Sequence, residues 1–122
     1  MVAGVTISPG NIRLYEFLWA HAGTWQIVRW DGPKGSFNFS LPVSGPGPGV
    51  PNDGDVMEFR YDATNSDEVV LTCYKNGALV ATARDSTSGR ILSGNPGLSF
   101  YATSGTNEDM SRYCFSEWSC ST

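Results

Sequence analysis

The chain has 122 residues, with 8 Lys plus Arg against 12 Asp plus Glu, a net charge of −4, and 12% aromatic residues. That length suits one domain, expected over residues 1–122. No basic run marks a nucleic-acid partner and no apolar stretch of about 18 residues marks a membrane-spanning helix, so neither nucleic acid nor membrane is expected as a partner.

No segment keeps apolar residues three and four apart long enough for a helix. Short β-branched and aromatic runs recur instead, broken by Gly, Pro, Asn, Asp and Ser. Strands are predicted over residues 2–7, 13–19, 24–30, 36–41, 56–61, 68–74, 78–84, 98–102 and 112–118. Residues 11–20 also suit a helix by composition, but their neighbours are strands and the segment is short. Residues 44–55, rich in Pro and Gly, are expected to form a long surface loop, because cutting the chain there leaves pieces small for separate cores. The strongest local signal is Asn76-Gly77, whose tolerance of positive φ suits a tight hairpin. Around it, alternation places Val69, Leu71 and Cys73 on one face, and Leu79, Ala81 and Ala83 together on one face of the partner strand. Earlier, Met57, Phe59 and Tyr61 oppose Glu58 and Arg60, the pattern of a sheet with one dry face.

Cys73, Cys114 and Cys120 are too few for a disulfide framework. Cys114 and Cys120 stand about 20 Å apart on an extended strand, so free thiols are expected. His21 has no second His at ligand spacing, and the Asn52-Asp53-Gly54-Asp55 and Asn107-Glu108-Asp109 clusters read as turns, not calcium loops. No metal or other cofactor is expected. The opening MVAGVTISPG lacks the basic and apolar regions of a secretory signal, so Asn38-Phe39-Ser40, an N-glycosylation acceptor by sequence, reads as a chance match. The compartment stays open.

Several segments carry a family resemblance. They are Gly23-Thr24-Trp25-Gln26-Ile27-Val28-Arg29-Trp30-Asp31-Gly32, the strand start at Asn52-Asp53-Gly54-Asp55-Val56, the hairpin Tyr74-Lys75-Asn76-Gly77, and the turn Gly94-Asn95-Pro96-Gly97-Leu98. In this order they resemble the concanavalin A-like lectin/glucanase superfamily, in particular its laminin-G-like jelly rolls. The resemblance implies an all-β, antiparallel β-sandwich of jelly-roll topology, an extracellular setting and carbohydrate binding. Because such folds place several strands before the Gly23 block, the chain is expected to be N-terminally shortened. Where relatives use paired carboxylates toward calcium, residues 114–118 carry Glu117 alone.

The glucanases of that superfamily use Glu-x-Asp-x-Glu on one strand, which sets carboxylates on one face for acid and nucleophile roles. Glu16, Glu58 and Glu108 begin no such motif, and no nucleophile elbow or phosphate loop is present. The chain is therefore not expected to be an enzyme. Aromatic rings that stack on the apolar face of a sugar, beside groups that hydrogen-bond its hydroxyls, remain the candidate chemistry. Tyr15, Phe17 and Trp19 share one strand face; Trp25 and Trp30, five apart, take opposite faces. The candidate ligand-binding residues are Trp19, Trp25, Gln26, Arg29, Trp30 and Asp31, with Asn38 as a further hydrogen-bonding group. The expected function is a non-catalytic, lectin-like glycan-binding module. The alternative is a structural or assembly protein, such as a phage or virion surface component. Bare strand edges and uncovered apolar faces also predict a homo-oligomer, formed by strand addition or sheet packing.

Overall fold

The structure, a computed structural model, describes residues 1–20, 22–33, 38–99 and 117–121. Within these residues the fold is all-β. Strands β1 (Val2–Ser8), β2 (Asn11–Trp19), β3 (Trp25–Gly32), β4 (Asn38–Gly45) and β8 (Asn95–Gly97) form one antiparallel sheet in the order β4-β3-β2-β1-β8. Strands β5 (Met57–Asp62), β6 (Val69–Lys75) and β7 (Ala78–Asp85) form a second antiparallel sheet, ordered β5-β6-β7. Consecutive strands stay neighbours within each sheet, so each is a meander, and β8 then returns to pair with β1.

Local chemistry sets the turns. Ser8 and Asn11 face each other across Pro9-Gly10, with Gly10 at φ 76°, the positive value that a Pro-Gly turn needs at its second position. Asn76 at φ 50° and Gly77 at φ 77° close the β6–β7 hairpin as the sequence predicts. Residues 11–20 choose strand: alternation buries Tyr15 and Phe17 against the other sheet.

The two sheets share a core of Tyr15, Phe17, Ile27, Val69, Leu71, Cys73, Ala81, Ala83 and Ile91, with Trp19, Trp25, Phe59 and Tyr61 packed around it. Burying each large apolar side chain contributes about 1.5–3 kcal/mol. Tyr15–Tyr61 and Phe17–Phe59 ring pairs, at centroid distances of 6.0 and 6.2 Å, tie β2 to β5. Cys73 is a free, buried thiol, pushed up to about 12 by burial. Cys120 is free and exposed.

A charged cluster sits inside this apolar layer. Asp85, at the end of β7, has 0% exposure. Its Oδ2 accepts the Tyr15 hydroxyl at 2.7 Å and pairs with Arg29 Nη1, while Oδ1 accepts the Thr87 amide at 3.0 Å and the Thr87 hydroxyl at 2.7 Å. Tyr15 Oη in turn accepts the Ile91 amide at 3.0 Å, and the Tyr61 hydroxyl donates to the Ile91 carbonyl at 2.8 Å. The crossover from β7 to β8 is thus clamped by a tyrosine from each sheet. Arg13 adds a bond from Nη2 to the Gly89 carbonyl at 2.7 Å.

Three expectations are corrected. Leu79 does not join Ala81 and Ala83. Cys73 pairs with Ala81 but Tyr74 with Leu79, so Val80 is an extra residue, and this bulge turns Leu79 outward to 61% exposure. Of the strand predicted over residues 98–102, Leu98 and Ser99 are not in a strand and the rest lies outside the described residues; a short strand stands earlier, at Asn95–Gly97. Gly94 explains the shift: at φ 152° it lies so close to the Gly4 backbone that a Cβ there would collide with it, bringing the following residues alongside β1. Glu117 and Trp118, the described end of the strand predicted over residues 112–118, are not in a strand. The rest of that segment, with His21, Cys114 and Asn107-Glu108-Asp109, lies outside the described residues.

Two outcomes are expected. Leu79→Thr changes stability by less than about 0.5 kcal/mol in urea unfolding, as an exposed site should. Asp85→Ala leaves Arg29 buried without its counter-charge and costs about 3–5 kcal/mol, whereas Arg29→Met with Asp85→Leu costs less. The carboxylate also sets a pH dependence. Burial acts to raise the Asp85 pKa, but bonds from Tyr15, Thr87 and Arg29 outweigh it and hold the group below its ordinary value. Its stabilising effect is therefore present above the ordinary carboxylate range and is lost as pH falls through the lower, folded-state value.

Candidate functional site

Cross-strand register organises one end of the sandwich. Trp19 pairs with Trp25 and Trp25 with Gly45, forming a row on the core-facing side of β2, β3 and β4. The next row, Leu18, Gln26 and Ser44, is also in register and faces the opposite way. Gly45 is required here: a Cβ would lie 2.9 Å from Trp25 Cζ2, so only its absence lets the indole rest against β4.

The loop between β4 and β5 closes this end. Trp19 Nε1 donates to the Gly49 carbonyl at 2.9 Å. Lys75 lies over the Trp19 ring with Nζ 4.9 Å from its centre, pairs with Asp55 at 2.9 Å, and donates to the Pro48 carbonyl at 3.3 Å. Asn76 completes the clasp by donating from Nδ2 to Asp55 at 2.9 Å and accepting the Val56 amide at 2.8 Å. The Asn52-Asp53-Gly54-Asp55 cluster is therefore a turn held by a lysine and an asparagine. Among the described residues no group of acidic, His and Cys side chains is arranged to hold a metal ion.

Two open depressions flank Trp25 and Pro46. One, of about 420 Å³, is lined by Leu18, Ala20, Thr24, Trp25, Gln26, Ser44, Gly45 and Pro46. The other, of about 320 Å³, lies toward the β6–β7 hairpin, where Lys75, Leu79 and Val80 line it.

The sequence candidates divide accordingly. Trp25 and Gln26 both line the first depression, though their side chains leave opposite faces of β3, with Trp19 beside Trp25 under Lys75. Arg29 faces inward to Asp85 and Thr87, its side chain only 12% exposed. Asp31 pairs with Arg13 at 3.1 Å. Trp30 lies on the opposite sheet face from Trp25, donates from Nε1 to Glu16 at 2.7 Å, and packs on Phe39 with ring centres 5.6 Å apart. Asn38 sits exposed at the far end of β4, opposite Asp31. Thr24 and Ser44 were not among the candidates. Only the β3–β4 register places Ser44 beside Gln26, and a bulge shifts that register between Ile27 and Arg29.

Comparison with protein-family models, with curated proteins and with solved structures finds no match.

The clasp gives a titration signature. The Lys75 bond first, then those from Asn52 and Asn76, hold the Asp55 carboxyl down at about 2. NMR titration of the side-chain carboxyls is expected to find Asp55 near that value, and Lys75→Met to move it back toward the ordinary aspartate range. The loop's stabilisation by this group is present above that range and fades as pH falls toward 2.

Proposed function

We propose that the protein is a non-catalytic glycan-binding module whose ligand sits at the Trp25 end of the sandwich. The carrying observation is that Trp25 lines both depressions, with Gln26, Thr24 and Ser44 bordering one of them. An indole supplies the apolar surface on which a pyranose ring stacks, and amide and hydroxyl side chains supply its hydrogen bonds. The ordered segments that resemble concanavalin A-like jelly rolls support the same class, and the two-sheet antiparallel architecture is compatible with it. The test is binding to an array of immobilised glycans, followed by titration of the best ligand. Trp25→Leu, which keeps apolar bulk but removes the ring, is expected to weaken binding by about tenfold or more, with its melting temperature measured alongside. Absence of binding by folded wild-type protein across the array defeats the proposal.

A second role, in assembly, is favoured by large exposed apolar side chains, notably Ile7, Val56 and Leu79. In it the chain is a structural component that self-associates as a homo-oligomer. Light scattering over a range of concentration tests it, and a monomer throughout rules it out.

A further inference from the structure

The first depression carries information about the kind of glycan. Every residue lining it is uncharged: Leu18, Ala20, Thr24, Trp25, Gln26, Ser44, Gly45 and Pro46. Lys75 borders the second depression, on the other side of Trp25, and is paired with Asp55 at 2.9 Å; on the face of the Leu18-Gln26-Ser44 row the next charge along β2 is the carboxylate of Glu16. The side chains of Thr24, Gln26 and Ser44 make no hydrogen bond within the described protein, so their donors and acceptors are available. The charged clusters, by contrast, are engaged: Asn76 and Asp55 in the loop clasp, Arg29, Thr87 and Asp85 in the core, and Arg13 with Asp31 at the sheet.

These groups are held on firm elements. Gln26 and Ser44 are directly opposed across β3 and β4, and Leu18 stands on the other side of Gln26. Thr24 is fixed by a turn in which its carbonyl accepts the Ala20 amide at 2.8 Å and the Ala20 carbonyl accepts the Gly23 amide at 2.8 Å. A strand-borne row keeps its side chains oriented before a ligand arrives, which lowers the entropic cost of binding.

Resting on the glycan-binding proposal above, we infer that this depression selects a neutral sugar, with the Gln26 amide and the Ser44 and Thr24 hydroxyls as its hydrogen-bonding groups. An anionic sugar has no cation to meet it there. Its carboxylate or sulfate would lose water without compensation, in the field of a chain whose net charge is −4. Amide and hydroxyl groups both donate and accept, as sugar hydroxyls do, so neutral rings satisfy the site fully.

The experiment compares neutral β-glucan, xylan and mannan oligosaccharides with oligogalacturonate, oligoalginate and hyaluronan fragments by isothermal titration calorimetry. Wild type, Gln26→Ala, Ser44→Ala and Thr24→Ala are each used, after circular dichroism shows all four folded. The expected result is binding confined to a neutral sugar, insensitive to salt, and weakened about fivefold by each substitution, the loss of one ordinary hydrogen bond. Binding of an acidic sugar in preference, or neutral binding unchanged in all three variants, overturns the inference while leaving a glycan-binding module in place. No binding to any sugar overturns both.

Discussion

A single carboxylate holds the two sheets in register. Asp85 ends β7 in one sheet and receives Tyr15 and Arg29 from β2 and β3 of the other. An unpaired charge at 0% exposure is prohibitively unfavourable, so the sheets must meet where those donors stand. Apolar packing alone would tolerate sliding by a residue pair. The charge cluster does not, because each bond has one geometry. Tyr15 then passes the constraint on, since its hydroxyl also fixes the Ile91 amide and hence the path of the crossover. Arg29 Nε is the one buried side-chain polar atom without a partner among the described residues, a local cost set against the two bonds made by Nη1.

The other end of the sandwich is organised differently. There a lysine over an indole, its paired aspartate and an asparagine hold a Pro- and Gly-rich loop across the ends of both sheets. Most residues of that loop are exposed, Val50 and Val56 among them, so polar bonds rather than burial define its course. The two ends thus each hold a paired charge cluster, in the core and in the clasp, while the residues lining the first depression are uncharged. Such a surface suits recognition by shape and by neutral hydrogen bonding.

Much of the fold is legible in the sequence because strand periodicity and turn chemistry are local. Alternation found β5, β6 and the inner face of β2, and Asn76-Gly77 found the hairpin. What escaped depends on pairing. Leu79 obeys alternation in its own strand and is turned outward only because Val80 is unopposed in the partner. Asn95-Pro96-Gly97 has the composition of a turn and becomes a strand because β1 offers an edge beside Gly94. Asp85 could have been suspected: it continues the alternating row of Ala81 and Ala83, and a carboxylate on a dry face implies donors opposite. Of the candidate site, the aromatic and amide residues stood out by type. Ser44 did not, since an ordinary serine acquires meaning only from its neighbour across the strand.

The edge beside this site has one more property. Opposite Val28, β4 carries both Leu41 and Pro42, with Leu41 at φ 64° and the proline lacking an amide proton. A strand that arrived to extend the sheet would find the ladder interrupted halfway along, with a kink it could not follow and a missing donor. This edge near Ser44 is therefore a poor template for a further strand, and the Ser44 surface stays open to solvent.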